Sequence, residues 1–316
     1  MSIQKMRILI LASGNSSILS PFVKEQAESL VKEGILIDFF LIKGKGIFGY
    51  LKNYFFLLKR IKHKEYDLIH AHYGLSGLLA VMQISIPVVI TFHGSDINMK
   101  KNYIFSRLAS NLSASNIFVH ENLPGKLKIY KRSQNIIPCG YDNNVFFHIK
   151  QKNAKKILGW DKDTRHIVFS SAFDNKVKNA PLAKSVTSKI PNCQLVELKG
   201  YNKEQVNLIL NACDLLLVTS YSETGPIIVK EALACDCPIV STDVGDVSKI
   251  IRNVPYTYIS SYDPKDIRTK IDLILSNPIK INGRKAVKNF ELDVIASKVK
   301  NVYRHTLKNI KNESLI

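Results

Sequence analysis

Two carboxylates, Glu223 and Glu231, have seven residues between them, and Thr224-Gly225-Pro226-Ile227 follows the first. A carboxylate accepts hydrogen bonds from sugar or ribose hydroxyls. Pro226 suits the first turn of a helix, because its φ is fixed there and its missing N–H would be unpaired anyway. The N-terminus of a helix carries orphan N–H donors and partial positive charge, which favours phosphate. Gly225 lets a ligand come close to the backbone. The constellation therefore suits a molecule with both a phosphate and a sugar. Read alone, the same two glutamates are equally compatible with solvated side chains on a helix.

The elements that must position these residues are short. Leu215–Val218 is an apolar run of the kind buried in a parallel sheet, 221–225 is a polar turn, and Ile227–Ala234 is a helix stopped by Pro238. The strand 239–240 follows. The same alternation fills the chain. Strands are expected at 7–12, 35–42, 67–71, 87–92, 117–120 and 135–138, with a helix over Pro21–Lys32 capped by Gly34. A second series has strands at 166–171, 194–198, 215–218, 239–241 and 256–259. Such alternation means βαβ units and parallel sheets. With 316 residues, about two domains are expected: 1–146, a polar lysine-rich linker at 147–165, 166–290, and a terminal helix at 291–316. The first turn, Ser13-Gly14-Asn15-Ser16-Ser17, lacks Gly-x-Gly-x-x-Gly, which argues against a dinucleotide oxidoreductase.

The net charge is +19 and implies an anionic partner: nucleic acid, an anionic membrane, or a phosphorylated substrate. No apolar run is long enough to span a bilayer, and the N-terminal apolar stretch reads as the first strand. The five cysteines show no metal-like pairing and are expected as reduced thiols of a cytosolic protein. From Lys43 to Lys64 basic residues alternate with Phe, Tyr and Leu at helical spacing. Two readings stay open: a helix lying on an anionic membrane, or an ordinary helix with a core stripe and a solvated basic face.

His93 ends the stretch Thr91-Phe92-His93-Gly94-Ser95-Asp96, beyond the carboxyl end of a strand, where open α/β sheets bind ligands. It is a candidate for contact with the transferred group, or else a cap for the following segment. His70 and His72 point the same way on their strand. No carboxylate or cysteine completes a metal site with them, so no metal is expected. His72 is a candidate for the acceptor side, with Gly14 and Asn15, and His70 reads as structural.

The run Ser-Tyr-Ser-Glu-Thr-Gly-Pro-Ile-Ile-Val-Lys-Glu-Ala-Leu-Ala, with Pro238-Ile239-Val240 and Asp243-Val244-Gly245-Asp246, resembles the Glu-x7-Glu signature of the retaining, nucleotide-sugar-dependent glycosyltransferases of group 1 or family 4. Asp67-x-x-His70-x-His72, Thr91-x-His93-Gly94-Ser95-Asp96 and the hinge-like 136–146 resemble further stretches of that family, with Cys139 and Tyr141 where Asn and Val are usual. The resemblance implies a GT-B fold, two Rossmann-like domains facing a cleft, with the last helix crossing back to the first domain. It implies catalytic roles for His93, Glu223 and Lys178. Glu223 would hold the donor sugar, Glu231 the ribose, and Lys176, Lys178, Thr224, Gly225, Pro226 and Ile227 the diphosphate end. Asn175 stands at the family's arginine position, beside Lys176, and Glu-Thr-Gly-Pro replaces the commoner Glu-Gly-x-Pro. The implied acceptor is a glycan or lipid-linked molecule, with neither cofactor nor nucleic acid required. The implied location is cytoplasmic, peripheral on the inner face of the cell membrane. A catalytically weak subunit of this fold and a basic nucleic-acid-binding protein remain as alternatives.

Overall fold

Along the first strand, Ile8, Ile10 and Ala12 pack on one side and Leu9 and Leu11 on the other, all at most 3% exposed. A strand covered on both faces is a continuous apolar run, as parallel sheets demand. The computed structural model describes residues 5–15, 19–44, 46–128, 134–277 and 281–313, without the side chains of 46–48, 51 and 313. Ser16 and Ser17 of the first turn, and Lys45 and the Phe48 side chain of the basic segment 43–64, lie outside the described residues.

The chain forms two units, Met1–Cys139 with Leu292–Ile316, and Gly140–Glu291. In the first unit the order is β1 (Arg7–Ser13), α1 (Pro21–Lys32), β2 (Leu36–Ile42), α2 (Gly46–His63), β3 (Leu68–His72), α3 (Gly74–Val81), β4 (Val88–Phe92), α4 (Ser95–Asn98), α5 (Lys100–Leu112), β5 (Ser115–Phe118), α6 (Asn122–Leu127) and β6 (Gln134–Ile136). The sheet runs β2-β1-β3-β4-β5-β6, all parallel. One face carries α2, α3, α5 and α6, the other α1 and the terminal helix.

The second unit contains α7 (Gln151–Leu158), β7 (Arg165–Phe169), a 3-10 turn (Lys176–Lys178), α8 (Ala180–Thr187), β8 (Cys193–Glu197), α9 (Lys203–Ala212), β9 (Leu215–Val218), α10 (Ile227–Ala234), β10 (Ile239–Thr242), α11 (Val247–Ile251), β11 (Thr257–Ser260), α12 (Pro264–Ser276) and α13 (Arg284–Val287). Its sheet order is β11-β10-β9-β7-β8, again parallel. The last helix, α14 (Leu292–Glu313), belongs to the first unit. Ile295, Ala296, Val299, Val302 and Tyr303 form its buried stripe, at the spacing a helix needs. Lys300 Nζ donates to Glu33 O (2.6 Å) and Oε2 (3.0 Å), which places a cation at the C-terminus of α1.

Two expectations are corrected. The first unit's leading segment ends at Cys139 rather than at 146, and 147–165 is no linker but part of the second unit. There Asn211 Oδ1 accepts the Ile149 N–H (2.6 Å), and Gln151 Nε2 donates to Cys213 O (3.0 Å). α7 then ends at Gly159, whose φ of 67° is the left-handed cap that a glycine adopts without strain.

A Cβ on Gly74, at the start of α3, would fall inside the Ser106 side chain and 2.7 Å from its Cα on α5. Gly74→Ala is therefore expected to cost ~1–3 kcal/mol by denaturant midpoint. Gly125→Ala on α6, where a Cβ meets nothing within 4 Å, should be neutral or stabilising by up to ~1 kcal/mol. Equal effects would contradict the packing described.

Candidate functional site

In the second unit the carboxyl ends of the neighbouring strands β7 and β9 bring two distant loops together. Tyr221 N–H donates to Val177 O (2.9 Å), and Thr219 Oγ1 donates to Lys178 O and Asn179 O, both at 3.0 Å. These bonds fix the 3-10 turn over the mouth of α10. Lys178 Nζ then lies 2.5 Å from Glu223 Oε1, with both side chains under 20% exposed. Ser220 Oγ donates to the same oxygen at 2.8 Å. Sequence reasoning gave Lys178 to a diphosphate and Glu223 to a sugar, and in the folded chain they hold each other. A ligand entering here must share or displace that pair.

Pro226 stands at the N-cap of α10, and among the described residues no side chain caps the helix, so its first N–H groups have no side-chain cap. Below the turn, a Cβ on Gly225 would meet Asp246 Oδ2 at 3.3 Å, and one on Gly245 (φ 59°) would meet Thr224 O at 2.9 Å. The two loops thus touch through backbone. Glu231 is 8% exposed, and Lys176 is exposed on the outside of the 3-10 turn. Asn175, at the arginine position of the resemblance, spends its Oδ1 on the Val177 N–H (3.3 Å).

Pattern reading missed the groups that support this loop. Lys230, fully buried, lies 3.8 Å from Asp246 Oδ2 and over the Phe290 ring (4.7 Å). Asp246 Oδ1 is buried with no hydrogen-bond partner among the described residues. Tyr262 donates to Ser220 O (2.9 Å) and stacks on the exposed Tyr221 (5.7 Å). Only strand adjacency, which a single sequence does not reveal, puts them together.

In the first unit β1, β3 and β4 are parallel neighbours, so Gly14, His72 and His93 all lie at one edge of the sheet. Asn15, by contrast, ties two loops: its Oδ1 accepts from Gly44 N–H (2.7 Å) and its Nδ2 donates to Gly44 O (3.1 Å). His70 is structural: Nδ1 meets Tyr303 Oη (2.6 Å) and Nε2 meets Thr91 Oγ1 (2.7 Å). His72 is 1% exposed and its Nδ1 lies 3.0 Å from His93 Nε2, so it touches His93 rather than an open surface.

Burial lowers the His72 pKa to about 3 and holds His93 well below the usual imidazole range, with His72 adding to the effect. Both rings are neutral at neutral pH, so one donates to the other. His93 can offer a ligand a neutral donor or acceptor through Nδ1, which faces Cys139 Sγ at 4.0 Å. Phe22 and Tyr73 lie against its ring at 4.7 and 4.5 Å. Tyr73 has φ 71°, a strained conformation for a side-chain-bearing residue, costing on the order of 1–3 kcal/mol. Asp96 organises the turn by accepting N–H bonds from Gly94 (2.9 Å) and Gly74 (3.2 Å), and burial raises its pKa to about 6.

Residues 16–144 match the model of glycosyltransferase family 4, and 192–291 that of glycosyl transferases group 1. A putative teichuronic acid biosynthesis glycosyltransferase of Bacillus subtilis, TuaC, is 30% identical over 227 residues, which span 61% of this chain and 58% of that relative's length. The N,N'-diacetylbacillosaminyl-diphospho-undecaprenol alpha-1,3-N-acetylgalactosaminyltransferase of Campylobacter jejuni is 25% identical, with 83% of each chain covered. The structure of sucrose-phosphate synthase from Thermosynechococcus elongatus superposes with a TM-score of 0.85 at 16% identity, over 96% of this chain and 100% of that one.

Proposed function

The chain belongs to the glycosyltransferases of group 1 and family 4 and has the GT-B fold, and we propose that it moves a sugar from a nucleotide-sugar donor to a glycan or lipid-linked acceptor with retention of configuration. The observation that carries this reading is the half-buried Lys178–Glu223 pair at the uncapped mouth of α10. A cation and an uncapped helix start lie side by side there, and both favour a departing diphosphate. The donor's C1–O bond breaks with its electron pair leaving on the diphosphate. The acceptor hydroxyl bonds to C1 from the same face, and its proton goes to the departing phosphate oxygen. Glu223, already accepting from Lys178 and Ser220, orients the sugar through hydrogen bonds rather than attacking it. Glu231 takes the ribose, and Lys176 adds charge at the rim. These groups supply the positive charge, so the reading assigns no metal and no other cofactor to the step.

The neutral His93 contacts the sugar or the acceptor, with His72 behind it, and the reading assigns Gly14 and Asn15 to the acceptor side. Two relatives, one named for teichuronic acid synthesis and one for a diphospho-undecaprenol acceptor, support cell-surface polysaccharide synthesis on a lipid-linked acceptor. Among the described residues no helix is long and apolar enough to cross a membrane. A lipid-linked acceptor and the basic segment of α2 support a location in the cytoplasm, peripheral on the inner membrane face.

A thermal-shift and calorimetric screen against UDP-, GDP-, ADP- and CMP-sugars tests it. One nucleotide class should stabilise the chain by about 2.7 kcal/mol at 100 times its Kd. No binding in the whole panel, with salt-sensitive retention on heparin, would favour a nucleic-acid-binding protein instead. Asn175 favours a second reading, a catalytically weak subunit, because its side chain serves the turn and leaves no arginine fork for the diphosphate. Nucleotide binding without transfer or hydrolysis would select that reading.

A further inference from the structure

α5 is amphipathic in the wrong direction for a helix on a water-facing surface. Its inner face, packed on the unit, presents the small residues Ser106, Ala109 and Ser110. Its outer face presents Ile104, Phe105, Leu108 and Leu112, which are 73, 44, 48 and 54% exposed. A surface helix of a soluble domain reverses that order. These four side chains recur at i, i+1, i+4 and i+8 and form one stripe, with Lys100, Lys101 and Arg107 exposed at its margins.

The stripe does not stand alone. α2, α3 and α5 all pack their inner sides into one core on the same face of the sheet, so their outer sides make one layer. On α2 that layer exposes Phe55 and Phe56 at 68 and 53%, flanked by the exposed Lys52, Lys59 and Lys62. Just past α3, Met82 and Ile84 are 46 and 97% exposed. From residue 68 to 120 the single acidic residue is Asp96, which is 3% exposed. The layer is thus apolar at its crests, basic at its flanks and without exposed carboxylates along that stretch.

We infer that α5 and α2 together form a docking face for an anionic lipid bilayer, with Ile104, Phe105, Leu108 and Leu112 entering the headgroup–acyl boundary and the lysines meeting lipid phosphates. The charge selects the partner. Apposing two copies of the face would bring like charges together on a chain already at +19. Nucleic acid would satisfy the lysines but has no use for a row of aliphatic side chains. An anionic bilayer satisfies both, since apolar insertion and basic attraction add in interfacial helices. The inference rests on the α2 part of the proposed function and adds a second helix with its own residues.

Flotation of the full chain with vesicles tests it without donor or acceptor. The chain should float with 1:1 phosphatidylglycerol:phosphatidylcholine vesicles and stay behind with phosphatidylcholine alone. Ile104→Glu with Leu108→Glu should weaken partition roughly 30-fold or more, as should Lys100→Glu with Lys101→Glu. Leu273→Glu, on the second unit's exposed α12, should float like the parent. Full flotation of both α5 variants, with loss only in Lys52→Glu with Lys59→Glu, would overturn the role of α5 while leaving that of α2. Absence of flotation at low salt would overturn both. So would a stable dimer that the Ile104→Glu, Leu108→Glu variant dissociates. Nucleotide binding measured on the same variants keeps these outcomes separate from the fate of the transferase reading, and an unchanged denaturant midpoint reports that the first unit, which carries the substitutions, is intact.

Discussion

Lys178→Ala is expected to lower kcat/KM for sugar transfer by about 10²–10³-fold, the range seen when one preorganised group facing developing charge is removed. The side chain is under 20% exposed and touches Glu223 Oε1, so its charge acts in a partly desolvated site rather than at the surface. The loss should fall mainly on kcat, because charge on the diphosphate grows as the C1–O bond breaks. The turn itself should survive, since Thr219 holds it through the Lys178 and Asn179 carbonyls, which the substitution keeps. Lys178→Arg preserves the charge but not the reach and should recover only part of the rate. Lys176→Ala, at an exposed position, should cost less than about 10-fold. A double-mutant cycle of Lys178→Ala with Glu223→Gln should show coupling of ~0.5–3 kcal/mol in stability. Unchanged transfer by Lys178→Ala would remove the site from the reaction altogether.

The parts of this site were legible to different depths. α10 was legible to the residue, because Pro226 opens the helix and Asp236-Cys237-Pro238 closes it, and local chemistry decides both. β9 was legible because four consecutive apolar residues fit a strand buried on both faces. The Lys178–Glu223 pair was not, since 45 positions separate its members and only the adjacency of β7 and β9 makes them meet. The His72–His93 contact has the same origin, in the pairing of β3 with β4. The second unit's first helix was mistaken for a linker because it buries little beyond Ala154 and the stem of Lys155. Its one local mark was Gly159, whose left-handed cap needs that residue. The reversed amphipathicity of α5 escaped for a related reason. Periodicity shows that a helix has an apolar stripe, and only packing shows which way the stripe points.

Acid should unfold the first unit early, and the sign follows from its buried histidines. His70, His72 and His93 all have pKa values depressed mainly by burial, that of His72 to about 3. Each is neutral in the folded chain and takes a proton near pH 6.5 once unfolded. Their stabilisation is complete above that pH and is lost as pH falls towards the folded values. Asp96 works the other way. Its folded pKa is raised to about 6, so its contribution is complete below about 4 and disappears as pH rises through 6. Below pH 6.5 the unfolded chain therefore binds more protons than the folded one at the three histidines, and Asp96 offsets part of that excess, so stability should fall as pH falls from 6.5 to 4.5. Denaturant unfolding at half-unit pH intervals would measure it. His72→Asn should remove about one proton, or ~1.4 kcal/mol per pH unit, from the slope whatever it does to the absolute stability. A slope unchanged by that substitution, or stability flat from pH 6.5 to 4.5, would mean that these imidazoles are hydrated. The neutral His72–His93 pair would then be the wrong chemistry for the sheet edge where the sugar or the acceptor is placed.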